Sequence, residues 1–352
     1  MVALAFALTL AVGGLRVEVR PERPFVEDLG WARRLNFDLV IHNDGANPLR
    51  LDEVQVSSYD GGNVLASRKA LRAGGSSPAL RTLNVRAVPA RDWVLLFNPF
   101  HTWDPGTPLD RLRYELTFTR EGDEATPLGV TVEVAPRPWR QRTRLVPPVK
   151  GRFVVWDGHD FYSHHRRWDL AERASRDGGL RHNVDRYAYD LSVVGPAGRM
   201  FAGDGSRPED WFGFGATLYA PGAGTVVEAV GSLPDRGPDK VDWDRVQWNP
   251  RLPDGNYVLI DHGNGEWSAL LHMKQGSVLV KPGQRVRRDE PIGQMGFSGD
   301  AITVHVHYRL QGGPGPDVEG LPSFFTKFRR LAGARTTATS KGAIDTGDIL
   351  ER

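Results

Sequence analysis

From Leu15 to residue 136, apolar and polar positions alternate in short runs. They are LRVEVR from Leu15, LNFDLVI from Leu35, LDEVQVSS from Leu51, LNVRAV from Leu83, DWVLLF from Asp92, LRYELTF from Leu112 and GVTVEV from Gly129. A period of two is the strand period, because successive side chains along an extended backbone point to opposite faces. Turn clusters such as HNDGANP, YDGGN and AGGSSP separate the runs, and Gly, Asn, Asp and Pro are the residues whose backbone preferences suit tight turns. About seven strands at this spacing, without helical periodicity, predict an immunoglobulin-like β-sandwich over residues 15–136.

The texture then changes. APRPWRQRTRLVPPVKG, from Ala135 to Gly151, is rich in Pro and Arg and marks an inter-domain linker, placed at residues 137–150. In the second domain, residues 151–352, Gly turns bracket very apolar strands, and only Trp168 to Ser175 has helical character. Between two of these strands Ser232 to Gly255 forms a long polar insertion, of the kind that serves as a functional rim or mobile cover. Near the end, GAIDTGDIL reads as a closing strand. The expected fold class is therefore all-β: a sandwich followed by a mostly antiparallel β domain with an open groove. At the other end, residues 1–14 hold MVALAFALTLAV, an apolar run too short for a stable transmembrane anchor. It is similar to the core of a secretory signal, although the basic residues that normally precede such a core are missing.

Composition narrows the chemistry. With 40% hydrophobic and 25% charged residues among 352, the chain reads as soluble and globular, with room for two cores. Its 45 basic residues nearly balance 43 acidic ones, which argues against nucleic acid as a partner while leaving an anionic wall polymer acceptable. There is no cysteine. Disulfides, thiolate-held zinc, cysteine nucleophiles and a lipidated cysteine are excluded, so any metal must sit on His, Asp or Glu.

Eight of the ten histidines lie between His159 and His307. In TVHVHYRL, from Thr303, strand alternation puts His305 and His307 on one face and Val304, Val306 and Tyr308 on the other. Taken alone, such a pair is equally well two exposed or cross-strand residues. In YAYDLSVV, from Tyr187, Asp190 interrupts an apolar and aromatic strand, where a carboxylate is costly unless paired or metal-bound. In WSALLHMKQGSV, from Trp267, His272 closes an apolar strand, which for a solitary histidine means only a satisfied strand end. His42 and His101 stand alone and read as surface or turn residues, and His159 as a turn residue or a neighbour of the site.

Four segments occur in a recognisable order: RYAYD (Arg186 to Asp190), APGAGTVVEA (Ala220 to Ala229), YVLIDHGNGEWSALLHM (Tyr257 to Met273) and VKPGQRVRRDEPIGQMGFSGDAITVHVHY (Val280 to Tyr308). Over some 120 residues this resembles the lysostaphin/LytM-type zinc metalloendopeptidases, with Val304 in place of the proline that usually opens the His-x-His segment. The resemblance implies one zinc ion per chain held by Asp190, His307 and a further histidine, with His272 and His305 as catalytic histidines. The first ligand stays open. Position 186, where compact relatives have His, is Arg; His165, in DGHDFYSHHRRW, and His182, in RHNVDRYAYD, are the main candidates and His164 a third. Arg166, Arg167 and Arg186 are candidates for orienting carboxylates near the site. The implied activity is hydrolysis of peptide bonds in peptidoglycan stem or cross-bridge peptides, in the cell envelope, periplasmic or secreted. The alternative is a catalytically silent relative acting as a wall-binding or partner-regulating module. A biotinyl/lipoyl carrier barrel explains the rhythm of GTVVEAVGS but neither Asp190 nor His-x-His. A general protein-degrading metalloprotease would share the zinc chemistry, although there is no His-Glu-x-x-His helix.

Overall fold

The computed structural model describes residues 14–120, 123–235 and 253–352. The apolar segment expected at the N-terminus, save Gly14, and residues 236–252 of the polar insertion lie outside them. Nearly all regular structure is antiparallel β, as the alternating runs predict. The chain divides into two compact units, Met1–Trp139 and Arg140–Arg352.

In the first unit a three-stranded sheet pairs Leu15–Arg20, Asp38–Asn43 and Asp92–Phe97. A five-stranded sheet runs Asp123–Val134, Arg111–Arg120, Leu49–Tyr59 and Leu65–Arg72, with Ala87–Val88 beside Leu49–Tyr59. Alternate residues of both sheets enter one core, among them Val17, Ile41, Val56, Tyr114, Leu116 and Val132. The Leu65–Arg72 strand (LASRKALR) escapes a reading based on apolar alternation. It is an edge strand whose side chains are exposed or half-buried throughout, so Arg and Lys take positions that burial would otherwise reserve for apolar groups.

The Pro/Arg segment is divided between the units. Trp139 donates its backbone N–H to Val26 in the first. In the second, the buried Glu266 carboxylate accepts the backbone N–H groups of Arg142 and Thr143, both at 2.7 Å.

The second unit is built on an eleven-stranded sheet whose central strands, in spatial order, are Gly224–Val230, Tyr257–Asp261, Trp267–Leu271, Val306–Gln311, Tyr189–Val193 and Arg152–Asp157. The closing strand is Ile349–Glu351, between Arg152–Asp157 and Phe325–Ala332. Among the described residues its α-helix is the short Arg173–Asp177. On one face of the sheet Tyr189, Tyr308 and Phe325 pack together, the Phe325 ring centroid lying 5.7 Å from Tyr189 and 5.4 Å from Tyr308. The other face of the same strands carries the polar residues described next. Phe325 is fully buried, so Phe325→Ala should lower the stability of this unit by about 3–5 kcal/mol. Urea unfolding followed by tryptophan fluorescence would register it, and a loss under about 1 kcal/mol would contradict this packing.

Candidate metal centre

Register assembles the site. Asp190 lies directly opposite His307 across the central pair of strands, Leu271 opposes His307 from the other side, and Asp157 opposes Asp190. Directly opposed residues share a face of the sheet, so Asp157, Asp190 and His307 form a polar row across three strands. His272 follows Leu271, just past the end of its strand.

Asp190 Oδ1 is the hub. His307 Nδ1 is 3.0 Å from it, His305 Nε2 3.2 Å and His165 Nε2 3.3 Å, and all four side chains are buried. Each of the two peripheral rings is fixed from behind. His165 Nδ1 donates to the Gly158 carbonyl at 2.9 Å and His305 Nδ1 to the Thr303 carbonyl at 2.8 Å, so their Nε2 atoms face the hub. His165 Nε2 is buried and makes no hydrogen bond. His165 Nε2, beside the Asp190 carboxylate and the His307 imidazole, belongs to a donor set that could hold a divalent cation. Among the described residues three groups bring metal-capable atoms together: His165, Asp190 and His307; His272, His305 and His307; and Asp157, His164 and His165.

The candidates for the first ligand separate by position. His165 is buried at the hub. His164 has a 63% exposed side chain that pairs with Asp157, its ring 4.0 Å from that of His165. His182, with a 45% exposed side chain, bonds Asp317 at 3.3 Å and belongs to none of the three groups. The His182–Asp317 pairing is reinforced by the Asp317 carboxylate accepting the backbone N–H groups of Arg181 and His182. His159 is buried between the rings of Tyr187 and Tyr189, at 5.3 and 5.0 Å.

His272 reaches the cluster through a strained backbone. Its φ of 59° lies in the left-handed region, which costs a non-glycine residue roughly 1–3 kcal/mol and persists only where neighbours impose it. Here they do. The Asp254 carbonyl accepts its N–H, its own carbonyl accepts the N–H of Gly296, and its ring Nδ1 donates to the Ser298 carbonyl at 2.9 Å. The Gly-Phe-Ser-Gly segment, Gly296 to Gly299, thus shapes this corner. Ser298 Oγ donates to the Met273 carbonyl and accepts from the Asn256 N–H. Gly299, at φ +72°, passes so close to Pro253 that a Cβ would lie 2.3 Å from its carbonyl oxygen. The resulting His272 ring sits 4.8 Å from that of His305 and 5.9 Å from that of His307.

Charge follows geometry. Burial alone would raise Asp190, but His305 and His165 beside it hold its carboxyl well below the usual range. Burial would lower His307, but the carboxylates of Asp185 and Asp190 push it up to about 9. Burial, together with the neighbouring imidazoles, drives His272 well below its ordinary value. His272 is therefore neutral at pH 7, with Nδ1–H committed to Ser298 and Nε2 available as a base.

Two residues unmarked in the sequence belong here. Asp185 Oδ1 lies 3.0 Å from His307 Nε2, and Arg309 bonds Asp185 at 2.9 Å and Asp254 at 3.1 Å. Arg309 was legible as the next step of the alternation His305, His307, Arg309. Asp185 sits in a turn, where no periodicity marks it. Arg186, by contrast, forms its ion pair with Glu319, so among the arginines it is Arg309 that serves a carboxylate next to His307. The cluster opens into a cavity of about 370 Å³ lined by Trp168, Leu271, His272, His307 and Arg309 among others, a size suited to a small peptide segment.

The model of Peptidase family M23 matches residues 210–316. The peptidoglycan DD-endopeptidase ShyA of Vibrio cholerae serotype O1 (strain ATCC 39315 / El Tor Inaba N16961) is 45% identical over 56 residues, 16% of this chain and 13% of that protein. ShyC of the same organism is 39% identical over 56 residues, 16% of this chain and 12% of that protein. The matched stretch therefore spans only about an eighth of either relative's length. Among solved structures, a zinc-containing peptidase from Vibrio cholerae is 14% identical, covering 86% of this chain and 83% of its own, with a TM-score of 0.24.

Proposed function

We propose that this protein, whose residues 210–316 match the model of Peptidase family M23, is a zinc-dependent endopeptidase of the lysostaphin/LytM type acting on peptidoglycan peptides in the cell envelope. The observation that carries the proposal is the convergence of His165 Nε2, Asp190 Oδ1 and His307 Nδ1, with His165 Nε2 buried and otherwise unbonded. His165, Asp190 and His307 would hold the ion, since two imidazoles and a carboxylate are a donor set suited to zinc. When bound, the ion supplies Lewis-acid polarisation of the scissile carbonyl and lowers the pKa of an attacking water to about 7.

The chain's own groups do the rest. His272, neutral and held by Ser298, accepts the water's proton at Nε2. His305, anchored through Nδ1, turns Nε2 toward the same centre, where it orients the water and helps return a proton to the departing amine. The cavity holds the peptide against them, so that attack proceeds from a bound geometry. Substrate identity rests on relatives described as peptidoglycan DD-endopeptidases.

The purified chain should contain about one zinc ion and release peptides from purified peptidoglycan, and both properties should be lost in His307→Ala. Metal analysis and chromatography of the soluble products measure them. A metal-free, inert protein that still sediments with wall material would instead favour a non-catalytic wall-binding role.

A further inference from the structure

Three charged side chains behind the cluster, buried Arg309 and Asp254 and half-buried Asp185, take no part in the steps above. Asp185 Oδ1 accepts from His307 Nε2 at 3.0 Å and from Arg309 Nη1 at 2.9 Å. Arg309 also donates to Asp254, with Nη2 to Oδ2 at 3.1 Å, and to Gln311, with Nε to Oε1 at 2.9 Å. Arg309 and Asp254 are each nearly inaccessible. Burying charges is costly unless each is paired with good geometry, and here the fork of one guanidinium serves two carboxylates.

The line also has direction. Asp254 holds Arg309 through its carboxylate and, through its backbone carbonyl, the N–H of His272. One end of the line therefore meets the ring whose Nδ1 faces Asp190, and the other meets the strained His272, whose ring lies 5.9 Å from that of His307. A ring nitrogen bonded from behind by a carboxylate has its tautomer and orientation set and its basicity raised.

We propose that Asp185 is the positioning residue of His307, clamped by Arg309, and that the line Asp185–Arg309–Asp254 keeps His307 and His272 in a fixed mutual geometry. The proposal rests on the zinc reading of the cluster. In the zinc-loaded protein His307 would keep Nε2–H donated to Asp185 and present Nδ1 to the hub as a lone pair. Without Asp185 the ring can take either tautomer and rotate about χ2, and the donor set loses its preorganisation.

The test uses the full chain, stripped with a chelator and titrated with zinc against a chromophoric competitor. Cobalt(II) is loaded in parallel to read the visible spectrum of the site. Asp185→Ala should bind zinc about 100-fold more weakly, and Asp185→Asn, which keeps an acceptor oxygen but loses the charge, about 10-fold more weakly. In Asp185→Asn the cobalt bands should shift while the far-UV spectrum and melting temperature stay those of the wild type, a change that a merely structural role would not produce. If Asp185→Ala does not fold, Asp185→Asn decides alone. Zinc affinity within threefold of wild type together with unchanged cobalt bands, in a folded variant, overturns the positioning role. A wild-type chain that takes up no zinc would sink the peptidase reading instead, so the two failures are distinguishable.

Discussion

Asp190→Ala should abolish metal uptake and activity together. The Asp190 carboxylate meets three imidazole nitrogens within 3.3 Å and is the one anionic member of the proposed donor set. With it gone, the proposed donor set would keep only the neutral imidazole donors of His165 and His307 and no anionic ligand to offset a dication. The expected zinc content falls from about one per chain to near zero at micromolar free zinc, and hydrolysis of peptidoglycan falls by about 10⁴-fold or more. Stability of the metal-free protein should also drop, by about 3–5 kcal/mol, because His307, raised to about 9, is left as a buried cation that has lost one of its two partners. Elemental analysis and urea unfolding read the two effects. An Asp190→Ala chain that retains stoichiometric zinc would remove Asp190 from the donor set.

His272→Ala should separate what Asp190→Ala combines. His272 makes its ring contact with the Ser298 carbonyl rather than with Asp190, so its loss leaves the His165–Asp190–His307 group intact. Zinc should remain near one per chain, while turnover drops by about 10²–10⁴-fold, the range that a positioned general base contributes. The melting temperature should hold or rise, since alanine carries no imidazole to desolvate, although the left-handed backbone at this position remains unfavourable for either residue. Steady-state kinetics on a defined cross-linked peptide, paired with metal analysis, makes the comparison. A His272→Ala enzyme that turns over at the wild-type rate would move the base elsewhere, and one that loses zinc would make His272 a ligand.

Much of this protein was legible in one dimension because strand geometry is local. Alternation along Leu15–Arg20, Leu49–Tyr59 and Arg111–Arg120 predicts strands, and the structure has them. The same rule sets His305 and His307 on one face before any fold is known. A carboxylate in the apolar run around Asp190 is a local anomaly, and so is a histidine closing Trp267–Leu271. The absence of cysteine, read from composition alone, leaves only imidazole and carboxylate as metal donors.

What the chain alone left open depends on contacts between distant segments. His164, His165 and His182 are equivalent to a reader of spacing; burial at the hub for His165, exposure beside Asp157 for His164 and an Asp317 partner for His182 tell them apart only in three dimensions. Asp185, Arg309 and Asp254 come from a turn, a strand and a loop, and they meet because the register opposes Asp190 to His307. The left-handed turn at His272 is imposed by Asp254, Gly296 and Ser298, none adjacent to it in the chain. Periodicity records which face a side chain takes; sheet register and loop packing, which are long-range and cooperative, decide which faces meet.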